Sequence, residues 1–205
     1  MRQIKNVVFD FGGVIIDIDR DRAVKKFVEI GVKDADNLLD KYHQKGIFLE
    51  IEDGRIDAES FRLKLSEICG KELTYKEVEM RGFVTAVEQY KLDYLNILRQ
   101  RKYNVYILSN TNPYIMGWAR SREFTSAGRP LDDYVDKIYA SYEVKCVKPD
   151  RGIFEYMIKD AALNPSETVF VDDGASNISI GKEFGFVTLQ PANGEDWREK
   201  LEKLL

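Results

Sequence analysis

Five short apolar runs recur along this chain, each ending abruptly in polar or glycine residues, and segments with helical spacing of apolar residues separate them. We predict a strand for each run, over residues 5–10, 104–108, 137–141, 168–171 and 186–189. Continuous apolar runs of this length are typical of strands buried on both faces. Because helices alternate with the strands, the sequence predicts an α/β fold with a doubly wound parallel sheet.

The stretch from Asp21 to about Tyr90 carries only helical signals, and no strand is predicted in it. Its first helix ends at Gly31 and presents an apolar face made of Ala23, Val24, Phe27 and Val28. Further helices are predicted from residues that can cap an N-terminus: Asp34, with a helix to about Tyr42; Asp57, with Phe61, Leu65 and Ile68 facing inward up to Gly70; and Thr74 with Glu77 as a capping box.

The length of the chain fits one core domain that carries a sizeable insertion. At about 150 residues per domain, 205 residues fall between one domain and two. Since the helical stretch interrupts the strand pattern, we predict a core domain made of residues 1–18 and 88–205. Residues 19–87, called the insertion below, are predicted to form a separate all-helical domain.

Charge and composition exclude several classes of partner. The chain has 31 basic and 35 acidic residues and a net charge of −4, which argues against a nucleic-acid ligand. No apolar run approaches the ~20 residues of a membrane span, and the first one is too short for a signal peptide. With only Cys69 and Cys146, a disulfide framework is not expected, so we predict a cytoplasmic protein.

Chemically reactive side chains follow several of the predicted strands. Asp10 ends the first strand, Ser109 follows the second, and Asp172 with Asp173 follows the fourth, while Lys148 comes a few residues after the third. The carboxyl ends of parallel strands share one edge of a sheet, and ligands bind there in doubly wound folds. We therefore expect these side chains to converge on one site.

This combination suits phosphoryl transfer to water. A phosphate ester repels an attacking carboxylate, so an aspartate nucleophile needs positive charge nearby. Asp10 and Asp172 offer the hard oxygen ligands that Mg²⁺ prefers, Lys148 can neutralise a phosphate oxygen, and Ser109 can donate a hydrogen bond to one. The covalent route that this arrangement allows is an aspartyl-phosphate on Asp10 that is then hydrolysed.

Four ordered motifs give the chain a resemblance to the haloacid dehalogenase-like (HAD) superfamily. They are Val7-Val8-Phe9-Asp10-Phe11-Gly12-Gly13-Val14, Ile107-Leu108-Ser109-Asn110-Thr111-Asn112, Val147-Lys148-Pro149-Asp150 and Val169-Phe170-Val171-Asp172-Asp173. Within the superfamily the first two motifs most resemble the α-D-glucose-1-phosphate phosphatase group. The resemblance implies a Rossmann-like core, and the insertion sits where such enzymes carry a small cap over the active site.

The resemblance also implies roles for individual residues. It makes Asp10 the nucleophile and assigns Mg²⁺ to Asp10, the carbonyl of Gly12 and Asp172. It assigns the phosphate to Ser109, Asn110 and Lys148. Asp173 either binds the ion or orients waters and the first ligand. The implied activity is a Mg²⁺-dependent phosphatase for small phosphorylated metabolites, such as glucose 1-phosphate, working as a monomer or homodimer.

One position departs from the pattern of the superfamily. Its phosphatases usually carry a second aspartate two residues after the nucleophile as a general acid and base, and here that residue is Gly12. General acid catalysis is worth about 10²–10⁴ in rate, so the reaction is expected to be slower unless a substrate hydroxyl or a cap residue replaces it. His43, the only histidine, is expected at the surface, with substrate contact or a substitute acid as the alternative.

Three other functions could use the same residues. A 2-haloacid dehalogenase also has an aspartate nucleophile but no metal, and the Asp172-Asp173 pair disfavours it because nothing would offset the negative charge beside an anionic substrate. A protein that binds a phosphorylated metabolite with little turnover is suggested only by Gly12. An isomerase that returns the phosphoryl group to its substrate is disfavoured, since that reaction usually relies on the acid that Gly12 lacks.

Overall fold

A computed structural model describes residues 3–40, 43–79 and 83–205. Strands and helices alternate through most of this part of the chain. The strands are β1 (Asn6–Phe9), β2 (Ile16–Ile18), β3 (Val84–Val87), β4 (Asn104–Ser109), β5 (Lys137–Ala140), β6 (Thr168–Val171) and β7 (Val187–Leu189).

The helices fall into two groups along the chain. Those between β2 and β3 are α1 (Arg20–Ile30), α2 (Ala35–Leu38), α3 (Gly46–Glu52), α4 (Ala58–Cys69) and α5 (Tyr75–Val78). Those that follow β3 are α6 (Gln89–Gln100), α7 (Pro113–Ala119), α8 (Ser141–Val144), α9 (Arg151–Asp160), α10 (Ala175–Phe184) and α11 (Arg198–Glu202). None of the helices in the described ranges is long and apolar enough to span a membrane.

The main sheet is parallel, with the strand order β5-β4-β1-β6-β7. Phe9 at the end of β1 lies opposite Ile107 of β4 on one side and Val171 of β6 on the other. Residues that alternate along the strands enter separate apolar clusters, Val7 and Phe9 in one and Val8 in the other. Both faces are therefore covered, and the predicted α/β fold with a doubly wound parallel sheet is confirmed.

The insertion has an apolar core of its own. Phe27, Phe48 and Phe61 stack edge to face along it, with ring centroids 4.7 and 5.4 Å apart. Tyr114 of α7 reaches into this cluster, and its hydroxyl donates a hydrogen bond to the carbonyl of Ala58 at 2.7 Å. The insertion is therefore packed against the core domain through α7. Its division from the core at residues 19–87 stays a prediction.

A strand lies inside the stretch predicted to be purely helical, so that prediction was wrong at its C-terminal end. β3 pairs antiparallel with β2, which places the two connections to the insertion side by side. The β-branched Val84, Thr85 and Val87 suit a strand. The pairing partner of this strand lies about seventy residues earlier in the sequence, so a local pattern does not reveal it.

The helices of the insertion also differ in part from their prediction. The helix predicted from Asp34 to about Tyr42 ends at Leu38, because the guanidinium of Arg20 binds the carbonyls of Asp36 and Leu39 in place of a further turn; Tyr42 lies outside the described residues. The helix α3 was not predicted. Two side chains predicted to face inward are half exposed, since they lie at the margins of their helix faces: Val28 and Ile68.

Candidate active site

The strand order brings three of the predicted side chains to one edge of the sheet. β1 lies between β4 and β6, and Asp10 follows β1, Ser109 ends β4 and Asp172 follows β6. Asp172 and Ser109 are almost fully buried. The edge formed by the carboxyl ends of the strands, where doubly wound folds bind ligands, therefore carries two carboxylates and a hydroxyl.

Lys148 completes this group from the loop that follows α8. Its Nζ lies 2.6 Å from Oδ2 of Asp172 and 3.0 Å from Oδ1 of Asp10, and its side chain is 1% exposed. Asn110 holds the loop, since its side chain donates to the carbonyl of Lys148 at 2.8 Å and accepts from the amide of Lys148 at 2.7 Å. The side chain of Asn110, predicted to hold phosphate, thus also positions the lysine.

Three carboxylates form a cluster of oxygen ligands beside the lysine. One oxygen each from Asp10, Asp172 and Asp173 lies within 4.8 Å of the other two. Asp172 is oriented by the amide of Gly174 at 2.8 Å and the side-chain amide of Asn177 at 3.0 Å. An all-oxygen donor set of this kind fits a hard cation such as Mg²⁺.

The backbone before the insertion makes room for Asp173. Gly13 has a φ of +80°, and a Cβ built on it would lie 2.7 Å from Oδ2 of Asp173. A side chain at residue 13 would therefore displace this carboxylate. Gly12 is different, because a Cβ there would meet only the side chain of Ile18, at 3.4 Å, an ordinary contact.

Burial and the charges of neighbouring groups shift the pKa values of Asp10 and Lys148. Burial raises the pKa of Asp10 to about 7; the positive charge of Lys148 opposes this shift, and the charges of Asp172 and Asp173 add to it. Burial lowers the pKa of Lys148, but the carboxylates of Asp10 and Asp172 outweigh it, so the net pKa of the lysine is raised. The lysine is therefore a permanent cation, and a divalent ion would counter the remaining repulsion among the carboxylates.

A cavity of about 620 Å³ lies between this edge and the insertion. Asp10, Gly12, Lys148 and Asp173 line it from the core domain. The insertion and its connections contribute mostly polar side chains, namely Asp19, Arg20, Asp21, Gln44, Glu52 and Thr85. The volume is in the range of small-molecule sites. An adjoining recess lined by Phe11, Leu39 and Phe48 also reaches Ser109.

Glu52 is a site residue that the sequence reasoning missed. It is the last residue of α3 and lines the cavity together with Asp10 and Lys148. Burial raises the pKa of Glu52 to about 8, with the charges of Asp10 and Asp53 adding to the shift and Lys148 opposing it. The apolar spacing of Ile47, Phe48 and Ile51 was the signal that could have found this short helix.

The structure places His43 outside the main cavity. His43 is exposed and lines a smaller space of about 200 Å³ with Glu52, Lys148 and Pro149. The acidic residues near the start of the insertion make separate contacts. Asp17 pairs with the buried Lys91 at 3.1 Å, and the side chain of Asp19 caps α1 by accepting a hydrogen bond from the amide of Arg22.

Comparison with known proteins identifies the family. Residues 4–185 match the model of the haloacid dehalogenase-like hydrolases. The chain belongs to this family. The predicted superfamily is confirmed, and so is the prediction that this HAD hydrolase is a phosphoric monoester hydrolase. The finer likeness to the α-D-glucose-1-phosphate phosphatase group is not confirmed.

Three relatives of this HAD hydrolase match along nearly their whole length. A protein of Bacteroides thetaiotaomicron named D-ribitol-5-phosphate phosphatase is 57% identical over 204 residues, 98% of each chain. The structure of a HAD-like hydrolase from Porphyromonas gingivalis is 43% identical, with a TM-score of 0.93 over 98% of each chain. A HAD enzyme of B. thetaiotaomicron, solved with magnesium and inorganic phosphate, is 38% identical, with a TM-score of 0.87 over 96% of this chain and 98% of that one.

Proposed function

We propose that this hydrolase is a Mg²⁺-dependent phosphatase that acts on small phosphorylated polyols and sugars through an aspartyl-phosphate on Asp10. The observation that carries the proposal is the buried arrangement of Asp10, Lys148 and Asp172 at the edge of a cavity of small-molecule size. The roles of the individual residues and the action of the insertion as a cap are part of the proposal.

Each of these side chains has a distinct task in the proposed reaction. Asp10 attacks phosphorus, and the phosphate oxygens are held by Lys148, by the hydroxyl of Ser109 and by the loop of Asn110. Asp10, Asp172 and the carbonyl of Gly12 would hold Mg²⁺, with Asp173 beside them. The bound ion supplies positive charge that offsets repulsion between the carboxylate and the phosphate.

The cavity and the relatives both support this substrate class. The polar lining of the cavity offers hydroxyl groups a donor, Thr85, and acceptors, such as Asp19 and Gln44. A relative with 57% identity is named D-ribitol-5-phosphate phosphatase, and a five-carbon polyol phosphate fits a space of about 620 Å³. We therefore propose ribitol 5-phosphate as the first substrate to test, ahead of glucose 1-phosphate.

The test is phosphate release from a panel of small phosphate esters, with Mg²⁺ or with chelator. We expect metal-dependent turnover that Asp10→Asn lowers on the order of 10³-fold or more. The matched control is Asp93→Asn, an exposed acid on α6 outside the cavity, which should leave the rate unchanged. Full turnover by Asp10→Asn would contradict the proposal, and so would metal-independent halide release from haloacids without phosphatase activity.

A further inference from the structure

The missing side chain at Gly12 leaves the proposed reaction without its usual proton donor. When phosphate is transferred from a polyol ester to Asp10, the leaving oxygen becomes a strongly basic alkoxide unless it gains a proton. A positioned acid is worth about 10²–10⁴ in this step. Some other group in the cavity must supply this proton if polyol phosphates are to be efficient substrates.

Most acids that line the cavity already have another task. Asp10 is bound to Lys148, and Asp173 lies against Gly13 within the carboxylate cluster. Asp19 accepts a hydrogen bond from the amide of Arg22, while the side chain of Asp21 is 92% exposed. Among the acids that line this space in the described residues, Glu52 remains.

The backbone holds Glu52 over the sheet edge. The side chains of Phe48 and Ile51 anchor α3 in the core of the insertion. The turn after α3 presses on the core domain, since a Cβ built on Gly54 would lie 2.2 Å from the carbonyl oxygen of Tyr142 in α8. Glu52 lies two residues before this contact, so its place beside Asp10 and Lys148 depends on the docking of the insertion.

We propose, on the basis of the function proposed above, that Glu52 is the general acid and base of the reaction, supplied by the insertion in place of the side chain that Gly12 lacks. In the first step Asp10 forms a bond to phosphorus, the bond from phosphorus to the substrate oxygen breaks, and the Glu52 carboxyl gives its proton to that oxygen. In the second step water attacks phosphorus, the bond to Asp10 breaks, and the proton of the water returns to Glu52.

The surroundings of Glu52 suit a group that starts the cycle protonated. Glu52 is partly buried at the end of α3, where it lines the cavity together with Asp10 and Lys148. The negative charges of Asp10 and Asp53 act on its carboxyl against one cation, Lys148. Low exposure and a neighbouring negative charge both favour the neutral acid.

The test compares substrates that do and do not need a proton. Glu52→Gln should lower turnover of the best polyol phosphate of the panel by about 10²–10⁴-fold. With p-nitrophenyl phosphate, whose leaving group departs as a stable anion, the same variant should give a rapid burst of one p-nitrophenolate per site. Slow turnover should follow, because water attack in the second step lacks its base. The matched control is Glu50→Gln on the same helix, which pairs with Lys64 outside the cavity and should behave as wild type.

A second variant tests whether the lost function is proton transfer. A Cβ at residue 12 meets only the side chain of Ile18, at 3.4 Å, so Gly12→Asp added to Glu52→Gln should restore polyol phosphate turnover about tenfold or more. Three results would each overturn the role of Glu52. They are equal losses on both substrates without a burst, no recovery with Gly12→Asp, and a polyol-specific loss with a p-nitrophenolate burst in His43→Gln instead of Glu52→Gln. Wild-type protein that gives neither burst nor turnover would overturn the phosphatase proposal itself.

Discussion

Lys148 is the residue on which the charge balance of the site depends. It is a buried cation that lies 2.6 Å from the fully buried carboxylate of Asp172 and 3.0 Å from the largely buried carboxylate of Asp10. Removing one partner of such a pair leaves uncompensated charge in the protein interior, which costs more than the pair itself contributes. The same lysine that is proposed to bind phosphate therefore also stabilises the fold by balancing the charge of these carboxylates.

Substituting this lysine should affect stability and activity together. We expect Lys148→Met, measured by urea unfolding in chelator, to lower the free energy of unfolding by about 3 kcal/mol and to abolish phosphate release. Lys159→Met, an exposed lysine on α9, is the control and should change neither. Unchanged stability of Lys148→Met would mean that the lysine is not needed to balance the buried carboxylates.

The raised pKa of Asp10 predicts a pH dependence of stability. The pKa of Asp10 rises from its ordinary value of 3.8 to about 7 on folding, so between these pH values the unfolded chain has released a proton that the folded protein keeps. The contribution of Asp10 to the free energy of unfolding is therefore fully present below about pH 4 and is lost as the pH rises through about 7. In chelator, the urea midpoint of the wild type should therefore be lower at pH 8 than at pH 5. The decrease should be larger for the wild type than for Asp10→Asn. Parallel curves for the two proteins would contradict this.

Among the elements, the turn after α3 controls how the insertion meets the core domain. Gly54 has a φ of +71° and leaves no room for a Cβ beside Tyr142. Gly54→Ala should therefore push the end of α3, with Glu52, away from α8. We expect a fall of about tenfold or more in kcat for polyol phosphates, because small displacements of a catalytic group are costly.

A glycine in the same conformation without the contact provides the control. Gly70 ends α4 with a φ of +64°, and a Cβ there would meet no atom within 4 Å. Gly70→Ala thus carries a similar backbone strain, of about 1 kcal/mol, without steric displacement. It should lower the melting temperature slightly and leave kcat unchanged. Equal kinetic effects of the two substitutions would show that the docking contact does not matter for turnover.

The elements of the sheet could be predicted from the sequence, whereas those that complete the cavity could not. The strand at Thr168–Val171 and the polar residues after it form a local pattern, and the parallel fold determines which strand ends share an edge. The place of Glu52, by contrast, depends on the contact between Gly54 and Tyr142, which are far apart in the sequence. Lys91 is fully buried through its pair with Asp17, another arrangement that hydropathy alone would not predict.

At the scale of the whole molecule, the proposed metal site joins two separate parts of the chain. Asp10 follows β1 near the N-terminus, while Asp172 and Asp173 follow β6, more than 160 residues later. An ion held by both segments binds the folded protein and not the unfolded chain, because the carboxylates are dispersed on unfolding. Ligand binding of this kind must raise the stability of the whole fold.

Magnesium should therefore raise the melting temperature of the protein. At an ion concentration of about 100 times its Kd, the expected gain is about 2.7 kcal/mol, or roughly 5–10 °C for a chain of this size. Asp172→Asn removes one ligand charge and should abolish most of the shift, while the exposed Asp93→Asn should keep it. The measurement is a thermal unfolding series in MgCl₂ at constant ionic strength. If MgCl₂ raised the melting temperature of Asp172→Asn as much as that of the wild type, the ion would bind elsewhere. A site built on the clustered carboxylates must lose affinity when Asp172 is replaced.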